Sequence, residues 1–107
     1  MISLNDKEFS DFLEKENSKF IVFFEASWCT KCKALKPFID KIENDEHGDL
    51  IFVSIDNDNN PKTSVKYDVR SLPTLVAFNQ HLSIDKIANI QSEIELLTWL
   101  KKIDFID

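Results

Sequence analysis

The cysteines of the chain, Cys29 and Cys32, lie three positions apart and are its most reactive side chains. A pair at this spacing can close a reversible disulfide, supply half of a zinc site, or lie inert in a core. Zinc prefers about four ligands, and the sequence has no second cysteine pair. His47 and His81 stand alone, and we interpret each as a surface loop residue. We therefore predict a redox-active pair and no metal site.

The position of the pair in the sequence favours thiolate chemistry. A continuous apolar run precedes the cysteines and apolar residues at helical spacing follow them, which predicts that Cys29 lies at the N-terminus of a helix. Unpaired N–H groups and the helix dipole stabilise a thiolate there, and Lys31 and Lys33 add positive charge. We expect Cys29 to attack a partner disulfide, Cys32 to resolve the mixed disulfide, and Trp28 to cover one side of the pair.

The rest of the sequence alternates helix and strand, which favours an α/β domain. Asn5 and Glu8 form a helix cap pair, Ser92 and Glu95 form a capping box, and Pro37 lies inside a helix. In chain order we predict a short strand at 2–4, a helix with Phe9, Phe12 and Leu13 on one face, a buried strand at 19–25, a helix with the apolar face Leu35, Phe38, Ile39 and Ile42, a buried strand at 50–55, a helix at 61–67, strands at 74–78 and 83–88 joined by 79–82, and a helix that buries Leu96, Leu97, Leu100 and Ile103.

Length and charge limit the classes of partner. The 107 residues fit one domain, 1–107. The net charge of −6 argues against nucleic-acid or membrane-surface binding, and no apolar run approaches the ~20 residues of a membrane helix. The polar residues Asn5, Asp6 and Lys7 interrupt any signal-peptide pattern. We therefore expect a monomer in the cytoplasm, a reducing compartment where such a cysteine pair is redox-active.

Taken together, the motifs resemble the thioredoxin family over nearly the whole chain. The combination of Trp-Cys-x-x-Cys-Lys with a later Pro-Thr is specific, whereas either half alone is weak. The resemblance implies a thioredoxin fold, with a central mixed β-sheet flanked by about four helices. It also implies a protein-disulfide reductase without a bound cofactor, which an NADPH-dependent flavoprotein thioredoxin reductase re-reduces. The matching residues are Phe24, Ala26, Trp28, Cys29, Cys32, Lys33, Pro37, Asp56, Pro61, Tyr67, Arg70, Leu72, Pro73, Thr74 and Phe78.

The same resemblance implies a docking surface for protein substrates. In that family the proline that matches Pro73 is cis and faces the cysteine pair. The backbone of Leu72 is then expected to pair with an extended substrate segment, as in strand addition. The residues that the resemblance assigns to substrate binding are Trp28, Thr30, Lys31, Arg70, Ser71, Leu72, Pro73, Ala88, Asn89 and Ile90. For residues 88–90 a plain turn is an equally good interpretation.

The sequence departs from the family behind the cysteine pair. The family has a buried Asp six residues before the first cysteine, thought to handle the proton of the second, and a buried Lys partner. Phe23 and Ser54 stand at those positions here. Strand alternation should point Glu25 to the same side as Phe23. Whether Glu25 reaches Cys32 or is a solvated charge at the strand end stays open.

Two other functions also stay open. Thr30 and Lys31 replace the usual Gly-Pro between the cysteines, which together with the missing Asp is compatible with a dedicated redox partner of shifted potential. A different class is a thioredoxin-fold binding subunit of a larger complex. His81 and Asn89 occupy positions that usually hold Gly, and we expect the fold to tolerate left-handed backbone there.

Overall fold

The computed structural model describes residues 1–45 and 50–107, so His47 lies outside the described residues. The elements are β1 (Ile2–Ser3), α1 (Asp6–Lys15), β2 (Lys19–Glu25), α2 (Thr30–Asn44), β3 (Ile51–Asp56), α3 (Pro61–Lys66), β4 (Thr74–Asn79), β5 (Leu82–Ala88) and α4 (Glu93–Lys102). The strands form one mixed sheet in the order β1-β3-β2-β4-β5, in which β1, β3 and β2 are parallel and β4 and β5 are antiparallel to their neighbours. This confirms the predicted mixed sheet with flanking helices.

The central strand β2 divides the core into two layers. Its residues 20–24 are fully buried because β2 lies between β3 and β4 and helices cover both faces. Phe20 and Phe24 face a layer that includes Phe9 of α1. Phe23 faces the opposite layer, which we call the cysteine-side core. That layer contains, among others, Cys29, Cys32, Leu35, Ile39, Phe52, Leu75, Ile90, Leu96, Trp99 and Leu100.

Several predicted boundaries move by one residue. β3 begins and ends one residue later than predicted, and α3 ends at Lys66 because Tyr67 is its C-cap. The predicted link 79–82 is shorter, since β4 and β5 are joined by Gln80 and His81 alone. Both residues have positive φ, 52° and 73°. A two-residue turn of this type matches the twist of the paired strands, so the strands extend further into the link than predicted.

The last helix buries a residue that its apolar pattern did not single out. Leu96 and Leu100 are buried as predicted, but Leu97 is only partly buried and Ile103 lies just past the helix end. Trp99 is buried, and its Nε1 donates a hydrogen bond to Asp85 at 2.9 Å. An indole can be buried where its N–H finds an acceptor, and strand β5 supplies that acceptor. In the described part of the chain, no helix is long and apolar enough to span a bilayer.

Helices α1 and α3 cap each other. The backbone N–H of Asp6 donates to Asn60 Oδ1 at 2.9 Å. In return, the Asp6 carboxylate accepts from the Thr63 N–H at 3.0 Å, the Thr63 hydroxyl at 2.6 Å and the Lys62 N–H at 3.3 Å. Partial burial raises the pKa of Asp6, but the hydrogen bonds from Thr63 and Lys62 outweigh it and lower the pKa below its ordinary value. The exchange fixes the chain that leads from β3 into α3.

Replacing Asp6 by Ala should destabilise the protein by about 1–2 kcal/mol at neutral pH, as the loss of a helix cap does. Because folding lowers the pKa of Asp6, its contribution is present above the unfolded pKa and is lost as pH falls through the folded pKa. The difference between parent and variant in urea unfolding should therefore shrink below pH ~4. Asp11→Ala, an exposed acid of the same helix, is the control. An equal loss from both variants would contradict the capping role.

Replacing Phe23 by Asp should destabilise the reduced protein by about 3–5 kcal/mol, because it removes a fully buried ring. A buried Asp holds its proton more tightly in the folded state. Stability of the variant should therefore fall as pH rises above ~4 and level off beyond the folded pKa. Phe23→Asn is the control, with a similar loss but no such slope. Urea unfolding across pH tests both, and a variant as stable as the parent would place position 23 outside the core.

Candidate active site

The cysteine pair begins helix α2. β2 ends at Glu25, and a turn closed by a 3.1 Å bond from the Cys29 N–H to the Ala26 carbonyl leads into the helix. Cys29 is the N-cap residue, and its Sγ accepts a hydrogen bond from the Cys32 N–H at 3.1 Å. The free N–H groups and the positive end of the helix dipole therefore point at the Cys29 sulfur, an environment that stabilises a thiolate.

The two cysteines form a disulfide, with their Cα atoms 5.3 Å apart. This separation lies in the usual range for a disulfide, so the pair closes without moving the backbone. The side chains differ in access, since Cys29 is 4% exposed and Cys32 is 0% exposed. The N-terminal cysteine is therefore the one that an approaching partner sulfur reaches first.

Trp28 lies beside the pair at the protein surface. Trp28 is 65% exposed, and its indole Nε1 donates a hydrogen bond to Asp58 Oδ2 at 2.8 Å. Asp58 lies in the loop after β3, and its own N–H donates to Asp56 Oδ1 at 3.1 Å. The ring is thus fixed from a neighbouring strand end while much of its surface remains open to solvent. Sequence reasoning did not single out Asp58, because its contact with Trp28 joins segments 30 residues apart.

The two loops predicted to complete the docking surface, residues 70–73 and 88–90, lie together, and we call them the double loop. The peptide bond between Leu72 and Pro73 is cis. The Asn89 N–H donates to the Pro73 carbonyl at 2.9 Å, and the Asn89 amide lies 3.5 Å from the Ser71 hydroxyl. Asn89 has a φ of 62°, a left-handed conformation that Asn tolerates well. Leu72 packs against the cysteine-side core, so this double loop borders the layer that holds the cysteines.

The predicted docking residues differ in what they can present to a partner. Thr30, Lys31 and Ala88 are exposed. Ile90 is 1% exposed and packs in the cysteine-side core, so it cannot contact a partner directly. The sequence pattern could not separate these roles, because a single apolar residue after a turn fits either.

Arg70 is highly exposed and turned toward Asp68, with Nε 2.8 Å from Oδ1. The hydrogen bond from Arg70 and, to a smaller extent, its charge lower the pKa of Asp68, and the same bond raises the pKa of Arg70. Lys86 Nζ lies 3.8 Å from the other carboxylate oxygen. The positive charge of Arg70 therefore belongs to a solvent-exposed charge group beside the double loop.

Behind the cysteines, an aromatic ring and an ion pair occupy the same side of β2. Phe23 is fully buried in the cysteine-side core and pairs across the sheet with Ser54. The Glu25 side chain is only 17% exposed, and its Oε1 lies 2.9 Å from Lys36 Nζ of α2. Glu25 therefore points toward α2, as alternation predicted, and is not a freely solvated charge. Lys36 was not singled out, although it follows Cys32 by four residues, a spacing that shares a helix face.

Metal binding finds no support in the described residues. Within 1–45 and 50–107, no group of three or more His, Cys, Asp or Glu side chains could hold a metal ion. His81 is exposed in the β4–β5 turn, and its Nδ1 contacts the Leu13 carbonyl oxygen.

Comparison with known proteins gives a consistent result. A family model for thioredoxin matches residues 1–102. The thioredoxin of Staphylococcus epidermidis is 36% identical over 94 residues, which cover 87% of this chain and 90% of the relative. The thioredoxin of Staphylococcus aureus is 31% identical over 102 residues, which cover 95% and 96%. A solved structure of Plasmodium falciparum thioredoxin has the same fold, with a TM-score of 0.86, 23% identity, and coverage of 95% of this chain and 98% of that one.

The fold, the disulfide at the start of α2 and these similarities agree. The chain belongs to the thioredoxin family, and it is a thiol–disulfide oxidoreductase of the protein-disulfide reductase type.

Proposed function

We propose that Cys29 is the attacking thiolate and Cys32 the resolving thiol in the reduction of protein disulfides. The observation that carries this assignment is the 3.1 Å bond from the Cys32 N–H to Cys29 Sγ at the N-terminus of α2. The bond and the helix dipole favour negative charge on Cys29. The complete burial of Cys32 disfavours charge on the second sulfur before a substrate is attached.

The cycle begins with the reduced pair. The Cys29 thiolate attacks one sulfur of the partner disulfide, which forms a mixed disulfide and releases the other partner sulfur as a thiolate. Cys32 then loses its proton and attacks the Cys29 sulfur. The mixed disulfide breaks, the second partner sulfur leaves with the electron pair, and the Cys29–Cys32 disulfide remains. Two electrons thus pass to the partner, and the pair itself carries them without a further cofactor.

The substrate segment docks beside Trp28 and along residues 71–73. The hydrogen bond between Asn89 and the Pro73 carbonyl holds the double loop together, and Thr30 and Lys31 are exposed at the start of α2. An extended segment can pair with the backbone of Leu72 by strand addition. Arg70, Ser71, Ala88 and Asn89 form the rim of this surface, and Ile90 packs beneath it in the cysteine-side core.

The partners and the setting follow from the same chemistry. The oxidised pair is re-reduced by an NADPH-dependent thioredoxin reductase, and the substrates are proteins with accessible disulfides. Residues 1–107 act as one domain and as a monomer. The compartment is the cytoplasm, where thiols are kept reduced and disulfides serve catalysis. The net charge of −6 is unfavourable for nucleic acid or anionic membrane partners.

The two cysteine variants separate the proposed roles. Cys29→Ser should abolish the reduction of insulin disulfides by dithiothreitol through this protein, because the attacking sulfur is lost. Cys32→Ser should instead accumulate a mixed disulfide with a disulfide-bonded peptide, visible as an added mass by intact-protein mass spectrometry. A double Cys29→Ser, Cys32→Ser variant is the control for non-covalent binding. Trapping by Cys29→Ser and not by Cys32→Ser would reverse the assignment.

A further inference from the structure

The resolving thiol has to lose a proton inside the protein. Cys32 attacks only as a thiolate, yet its side chain is 0% exposed. Bulk solvent therefore cannot take the proton directly, and an apolar surrounding raises the free energy of the charged sulfur. A proton acceptor close to the cysteine-side core would remove this difficulty. The ring of Phe23 fills the core at that point and cannot accept a proton.

A polar groove runs between α2 and the ends of β2 and β3. The charged groups that face it are Lys36 and Asp40 from α2, Asp56 from β3, Glu25 from β2 and the ammonium group of Met1. The Met1 ammonium is bound to Glu43 at 2.7 Å. The remaining lining residues are Ser3, Ala26, Ser27 and Ser54. The groove therefore offers three carboxylates as candidate acceptors.

Two of these carboxylates are poorly placed. Asp56 is held by its own loop, since one oxygen accepts the Asp58 N–H at 3.1 Å and the other accepts the Asn59 amide at 2.7 Å. Asp40 is exposed and lies about two helical turns beyond Cys32. Neither combines partial burial with a carboxylate oxygen left open for a proton.

Glu25 meets both conditions. It lies on the same face of β2 as Phe23, which packs in the layer that contains Cys32. Its side chain is 17% exposed, and one carboxylate oxygen is bound to Lys36. Lys36 itself projects from α2 one turn beyond Cys32, on the same helix face. The contact with Lys36 turns the carboxylate toward the helix that carries the resolving cysteine.

We propose that Glu25, held by Lys36, accepts the proton of Cys32 when the mixed disulfide is resolved. This inference rests on the proposed roles of the two cysteines. The Cys32 proton passes to the Glu25 carboxylate, and the new thiolate attacks the Cys29 sulfur. The partner sulfur leaves as a thiolate and takes a proton from solvent, and Glu25 then returns its proton to solvent. Lys36 is a positioning residue for Glu25.

The resolving step can be measured by itself. The mixed disulfide of the protein with a short peptide is prepared at low pH, where resolution is slow, and a jump to higher pH then starts peptide release. Glu25→Gln should slow release about tenfold or more near pH 7, because the proton acceptor is lost. Asp40→Asn, which removes an equal charge from the same groove, should stay within about twofold of the parent.

Two further measurements separate proton transfer from a general disturbance. In a Cys32→Ser background, Glu25→Gln should leave the rate of mixed-disulfide formation by Cys29 within about twofold. Lys36→Gln should slow resolution, because the Glu25 carboxylate is no longer held toward α2. Lys36→Arg, which keeps the cation, should restore the parent rate. Urea unfolding of each oxidised variant verifies that it is folded.

The results that overturn the proposal are distinct from those that overturn the function. Unchanged resolution in Glu25→Gln, equal slowing in Asp40→Asn, or equal slowing of mixed-disulfide formation would each reject Glu25 as the acceptor while the parent still reduces disulfides. An unchanged rate of resolution in Lys36→Gln would reject the role of Lys36. A parent that forms no mixed disulfide with the peptide would reject the proposed cycle as a whole.

Discussion

The burial of β2 on both faces determines where the chemistry can lie. An apolar strand of this kind has to lie in the middle of the sheet, and the chain leaves it at its C-terminal end, where Glu25 is the last residue. Strand register places the site at that end, because Glu25 pairs with Asp56 and Phe24 pairs with Thr74, the first residue of β4. Thr74 in turn pairs with Ala88 at the end of β5. Strand ends and loops that are far apart in sequence therefore surround the start of α2.

The two layers of the core have different tasks. On the α1 side, Phe20 and Phe78 stack with their ring centroids 4.8 Å apart, and Phe9 meets Phe78 edge-on at 5.7 Å. This layer is stabilised by aromatic burial, and both cysteines lie in the other layer. The cross-capping of Asp6 and Asn60 joins it to the loop after β3. Because the same loop carries the partner of the Trp28 indole, packing on the unreactive side also fixes the reactive surface.

The sequence allowed accurate prediction wherever one segment decides the outcome. The apolar run of β2, the cap pair at Asn5 and Glu8 and the cysteines at a strand-to-helix junction are local patterns, and each lies where predicted. The contact of Glu25 with Lys36 depends on how α2 crosses β2, which no local pattern records. The burial of Ile90 likewise depends on where a loop returns to the core. Tertiary packing decides such positions, so a single sequence leaves them open.

The placement of Glu25 reflects a conflict between core stability and proton transfer. A carboxylate in the middle of β2 would be fully desolvated, and an isolated buried charge is strongly unfavourable. At the strand end, Glu25 remains in contact with solvent, and the Lys36 side chain that neutralises it is 44% exposed. The desolvation of this ion pair is therefore incomplete. Phe23 can then contribute its whole ring to the core, while the proposed proton acceptor lies two residues further along the same face of the strand.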